Sequence, residues 1–131
     1  QLLTGMSMKE EEIATITTAI GNHDESTAFP VNDVAAALII ADKSDVRRSR
    51  VRDKDTIAFD IHDRVNYAVT SSVITVDKAQ GEILLSLVID IEASPLSEYF
   101  EIFLSRMILC RKAADRLGYQ FGLIINDQRM M

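Results

Sequence analysis

The sequence predicts an α+β protein, with an incomplete all-helical portion over residues 1–70 followed by a β-β-α-β unit over residues 71–131. Three observations predict it. Apolar residues before residue 70 recur at three- and four-residue spacing, as in Ile13, Ile16 and Ile20. From Ser72 the period changes to two, and Ile83, Leu85, Leu87, Ile89 and Ile91 alternate with other residues. Leu96, Phe100, Phe103, Met107, Cys110, Ala114 and Leu117 then follow a 4,3,4,3,4,3 spacing that a helix gathers on one face.

Each element has its own signals. Gln1-Leu2-Leu3-Thr4-Gly5 reads as the last turn of a helix with its glycine stop, which predicts that the body of that helix precedes residue 1. Ser7 and Glu10 have capping-box spacing, and predict a helix from about Met8 to Ile20. Gly21 to Glu25 ends it, and a polar loop runs on to Pro30. Asn32 is a good N-cap for a helix cored by residues 34–41, which is apolar nearly all round and so expected to be buried on several sides. Residues 47–55 form a charged connection. Asp60 predicts a short capped helix with Ile61, Val65, Ala68 and Val69 on one face.

In the second half, Val73 to Val76 reads as a strand, Asp77 to Gly81 as a hairpin loop, and Ile83 to Ile91 as the returning strand, buried on one side. Ser94 and Pro95 open the long helix by N-cap and first-turn rules, and Gly118 closes it. Its apolar stripe is predicted to pack on the sheet, with a dimer seam as the other use of such a stripe. Phe121 to Ile125 is the last predicted strand.

Composition bounds the function. Hydrophobic residues make up 47% of the 131, enough to bury a core. The net charge of -6 argues against a general nucleic-acid binder, whose surface is basic, but allows a small phosphorylated ligand met by local positive charge. The single cysteine, Cys110, excludes an internal disulfide and suits a reducing, cytoplasmic setting. No apolar run approaches the ~20 residues that span a bilayer, so no membrane partner is expected.

Two places carry candidate chemistry. Asp42 ends an apolar helix in line with Ala35, Leu38 and Ile39. A carboxylate withdrawn from water needs a counter-charge, so a cation is expected against it. Lys43, an arginine from residues 47–52 and a divalent metal all qualify. His23-Asp24 follows a glycine at the end of the preceding helix, either as a plain helix cap or as an imidazole and carboxylate offered to the same metal. Lys43, Arg47, Arg48 and Arg50 are either phosphate-binding cations or a solvated charged segment. His62 beside Asp63 is either a supporting pair or a surface helix position.

Residues 19–25, then Pro30-Val31-Asn32, then Ala41-Asp42-Lys43-Ser44-Asp45, together with residues 47–52 and 60–68, resemble the last part of an HD-domain metal-dependent phosphohydrolase. The similarity is most specific at residues 41–45. It extends to a bacterial branch in which the HD domain carries a small α/β extension. The resemblance implies that Asp42 is the final metal ligand, that His23 is an additional ligand, and that Asp24 is a weaker candidate. It implies a divalent ion (Mn, Fe, Mg or Zn) and a phosphate monoester or nucleotide substrate, while the homodimer expectation rests on the Leu96–Leu117 stripe. One departure stands out. Asp24 and Asp42 are only 18 positions apart, too few for the helices that separate the family's His-Asp doublet from its late Asp. The family's first His and doublet are therefore expected upstream of Gln1, leaving this chain an incomplete site. The competing expectation is a non-catalytic regulatory or dimerisation module.

Overall fold

A computed structural model describes residues 1–24 and 26–131. The chain forms α1 (Leu2–Gly5), α2 (Glu10–Gly21) and α3 (Asp33–Lys43), then two single 3-10 turns at Arg48–Arg50 and Lys54–Thr56. There follow α4 (Ile61–Ala68), β1 (Val69–Asp77), β2 (Glu82–Ile89), α5 (Leu96–Arg116), β3 (Gln120–Ile125) and β4 (Gln128–Arg129). The α+β class is the observed one, and the second half contains the expected β-β-α-β order with one extra strand.

Sheet order is β1-β2-β3-β4. β1 and β2 pair antiparallel across a tight turn in which Gly81 takes φ 65°. β2 and β3 run parallel, because α5 carries the chain back to the starting end of the sheet. β3 and β4 pair antiparallel through Asn126 and Asp127, both with positive φ (49° and 65°). Asn126 also clamps the strands. Its Oδ1 accepts from the Ile89 N–H at 2.8 Å, and its Nδ2 donates to the Ile89 carbonyl at 2.9 Å. Gly122 sits in register with Leu84, where a Cβ would lie 2.6 Å from Leu84 Cδ2 and 2.9 Å from Glu82 Oε1. The missing side chain leaves room for the Glu82–Arg129 ion pair that joins β2 to β4.

Sequence periodicity located the elements better than their ends. Asn32 caps α3 as expected, its Oδ1 accepting from the Ala35 N–H at 2.8 Å, and Asp60 caps α4 through the His62 N–H at 2.9 Å. Ser7 does not cap α2. It adopts φ 58°, the helix begins at Glu10, and the Glu12 carboxylate instead accepts from the Lys9 N–H at 3.3 Å. Val69 opens β1 rather than closing α4, and β1 is longer than the expected four residues. β2 stops at Ile89, and Ile91 is exposed in the turn beyond it. The N-cap of α5 is Pro95, one residue later than expected, because the Ser94 hydroxyl donates to Glu98 Oε2 at 2.6 Å instead of capping the helix.

One hydrophobic core runs through both halves. Ile83, Leu85, Leu87 and Ile89 of β2 and Phe121, Leu123 and Ile125 of β3 face inward. Phe103, Met107, Cys110, Ala113 and Ala114 of α5 pack against them, as do Ala36, Ile39 and Ile40 of α3. The α5 stripe thus serves the sheet, as predicted, and also seats α3. α2 contributes only Ala19 to the buried residues.

Candidate functional site

The candidate site is made of His23, just past the end of α2, and Asp42 at the end of α3, which interact electrostatically. The buried face of α3 is Ala35, Ala36, Ile39, Ile40 and Lys43, a stripe repeating every three to four residues. Asp42 falls on the flank of that stripe, so its side chain keeps 44% of its exposure while Lys43 is only 4% exposed as a residue. The expectation of a withdrawn Asp42 is therefore corrected. The residue taken out of water is Lys43, and Asp42 is its counter-charge, with Lys43 Nζ 2.7 Å from Asp42 Oδ2. Burial works against the Asp42 carboxylate. The hydrogen bond and charge of Lys43, helped by the charges of His23 and Arg106, outweigh it and hold the pKa below the ordinary carboxylate value.

His23 follows the end of α2 and donates from Nδ1 to the Ile20 carbonyl at 2.5 Å, since a carbonyl can only accept. This contact fixes the tautomer and puts the lone pair of the neutral ring on Nε2, the arrangement in which histidines bind metals. The fold thus brings His23 within electrostatic reach of Asp42 although they belong to different helix ends. Asp24 is exposed just past them, and its carbonyl accepts from the Thr27 N–H at 3.0 Å.

The other expected cations are dispersed. Arg47 and Arg50 both grip Asp45, at 2.9 and 2.6 Å. Arg48 donates to the Tyr67 carbonyl at 2.6 Å, lies 4.2 Å over the Tyr67 ring, and approaches Asp90 at 3.9 Å. The Arg48 contacts tie the 3-10 turn to α4 and to Asp90, just past the end of β2. Lys43 is turned inward, on the Asp42 side. His62 is exposed, with Nδ1 3.7 Å from Asp60, while Asp63 accepts a short hydrogen bond from Thr56.

Arg106 and Cys110 of α5 are residues that the sequence did not nominate for this site. The Arg106 guanidinium lies 4.5 Å over the Phe103 ring, and its charge reaches both Asp42 and Cys110. Burial pushes the Cys110 thiol up to about 12, against the pull of Lys43 and Arg106. Helical spacing signalled this in part, because Phe103, Arg106 and Cys110 lie three and four positions apart. That α3 rather than another element would cover the same face was not written in the spacing.

Imidazole and carboxylate are the donor types of His23 and Asp42, and the two side chains interact electrostatically. Among the described residues no three His, Cys, Asp or Glu side chains gather into one metal-binding group. No helix among them is long and apolar enough to cross a membrane. Comparison of the chain with protein-family models, curated proteins and solved structures yields no match.

Proposed function

We propose that this chain forms part of a cytoplasmic metal-dependent phosphohydrolase acting on a phosphate monoester or nucleotide, with His23 and Asp42 as two of the metal's ligands. The observation that carries the reading is that the His23 Nδ1–H is held by the Ile20 carbonyl, which leaves Nε2 of the neutral ring as the ligand-type nitrogen, while His23 acts electrostatically on Asp42. The bound ion would polarise a phosphoryl oxygen and lower the pKa of a coordinated water. The chain's own residues do the rest. Lys43 holds one oxygen of Asp42 and keeps the carboxylate ionised, Ile20 orients the imidazole, and Arg106 adds positive charge beside the pair. Further ligands complete the set from outside the pair.

A second reading has its own support. The Lys43 pair already supplies Asp42 with a counter-charge, and Arg47, Arg48 and Arg50 each have a carboxylate partner, as a non-catalytic regulatory or dimerisation module would have. Metal content separates the two. Mn, Fe and Zn are measured per chain in the purified protein and in His23→Ala and Asp42→Ala, after each is equilibrated with the three ions. Metal retained by the parent and lost from both variants is the expected result. Equal metal in all three would leave the module as the correct reading, and no retained metal would mean that this chain alone does not hold the ion.

A further inference from the structure

We propose that β1 is the surface through which two copies of this chain pair, antiparallel and two-fold, with Ile74 on the axis. The inference does not depend on the metal site.

Among the described residues β2 is the one strand paired with β1, so one edge of this nine-residue strand has no strand partner, and beside that edge the Ser72 hydroxyl donates to the Ser44 carbonyl at 2.9 Å. The direction of its peptide groups follows from the neighbouring strands. The Asn126 N–H donates to the Leu87 carbonyl at 3.0 Å, and the Gln120 N–H to the Gly81 carbonyl at 2.9 Å. The odd-numbered residues of β2 therefore turn their backbone toward β3, and by alternation Leu84 and Ser86 turn toward β1. Their partners are Thr75 and Val73. Ser72, Ile74 and Val76 are left presenting one N–H and one C=O each along the open edge.

Edge strands are normally guarded by charge, proline, shortness or a bulge. β1 has a bulge only at its start, between Val69 and Ser71, and no charge or proline from Thr70 to Val76. Val73 and Val76 are each 52% exposed and Ile74 is 36% exposed. Ile74 and Val76 also line a shallow apolar groove of about 270 Å³ with Ala37, Ala41 and Leu117. The segment is thus built to be paired rather than guarded.

A second copy is the occupant that the charges and the register suit. Two-fold contacts use the same patch twice, so residues facing each other must tolerate their own kind or their symmetric partner. With Ile74 on the axis, all three outward residues pair. Ile74 meets Ile74 of the second copy, and Ser72 meets its Val76. On the opposite face Val73 meets its Thr75. Asp77 falls opposite Ser71, and Lys78 opposite Thr70, so no like charges oppose each other. The net charge of -6 keeps copies apart in general, whereas β1 carries no charge from Thr70 to Val76 and the Asp45 carboxylate beside Ser72 and Ile74 is already paired with Arg47 and Arg50.

Sedimentation velocity over a wide concentration range tests this on the whole chain and on two variants. Ile74→Lys sets two ammonium groups face to face on the axis and is expected to raise the dimer dissociation constant at least tenfold with unchanged circular dichroism. The double variant Val73→Lys/Thr75→Glu lies on the solvent face, and in this register it creates two cross-strand ion pairs. Its dimer is expected to tighten at low salt and loosen at high salt relative to the parent. A parent chain that stays monomeric overturns the proposal, as does a dimer that survives Ile74→Lys. If Ile74→Lys fails to fold, the double variant decides, and a salt response equal to the parent's overturns the proposal.

Discussion

Lys43 and Asp42 show how one residue step along a helix changes what a charge needs. Lys43 lies on the buried face of α3 and relies on Asp42, whereas Asp42 retains water. Removing one partner of such a pair is therefore asymmetric in its effect. Asp42→Asn leaves a buried ammonium without its counter-charge and is expected to lower stability by about 1–3 kcal/mol. Lys43→Met replaces the buried cation with an apolar chain of similar length, and leaves behind only a half-exposed carboxylate. It is expected to be neutral or stabilising. Urea denaturation of both variants at pH 7 checks the order. The pairing idea would be lost if Lys43→Met proved the more damaging change.

Between elements, the clearest link is Arg64 of α4 with Glu98 of α5. It is bidentate, with Nε to Oε2 and Nη2 to Oε1 both at 2.8 Å, and the Ser94 hydroxyl adds a third hydrogen bond to Glu98. The Arg64 hydrogen bonds, followed by that of Ser94, hold the Glu98 pKa at about 2, well below 4.5. A depressed carboxylate stabilises the fold above its unfolded pKa, and that contribution fades as pH falls through the folded one. The stability difference between the parent and Glu98→Gln should therefore be fully present above about pH 5. It should shrink between pH 4.5 and about 2, the interval between the ordinary and the shifted value. Chemical denaturation of both proteins at a series of pH values measures it. A difference that stays constant down to pH 2 would mean that the pair does not link the two helices energetically.

At the scale of the whole molecule, residues on both sides of residue 70 share a single core. Ile39 and Ile40 of α3 pack in the same cluster as Leu85 of β2 and Met107 of α5. Cooperative unfolding is expected, because neither portion can expose its apolar face without uncovering the other. Cys110 reports on it, being fully buried within that cluster with its thiol pushed up to about 12. Native protein at neutral pH should resist a thiol reagent, and in urea the thiol should become reactive in the same transition that removes the helical circular dichroism. Thiol exposure well before loss of helix would show that the α3–α5 contact opens on its own.

The sequence by itself determined the class and most of the elements. Periodicity is a local property, and it exposed the β2 alternation, the α5 stripe and the caps at Asn32 and Asp60 without reference to the rest of the chain. Ends were less legible, because Ser7 and Ser94 each had a cap's chemistry but met a different partner. The strand β4 escaped notice, although Asn126-Asp127 is the kind of pair that accepts positive φ in a two-residue turn. The candidate site divided in the same way. Sequence picked out His23 and Asp42, and named Lys43 among the cations that Asp42 needed. Only the tertiary structure decided which of Asp42 and Lys43 is buried, and which arginines were already occupied by Asp45, Tyr67 and Asp90. It also decided that Arg106 arrives from a helix more than sixty residues further on. Burial and charge pairing depend on which faces meet, and that is settled by packing between distant segments rather than by spacing within one.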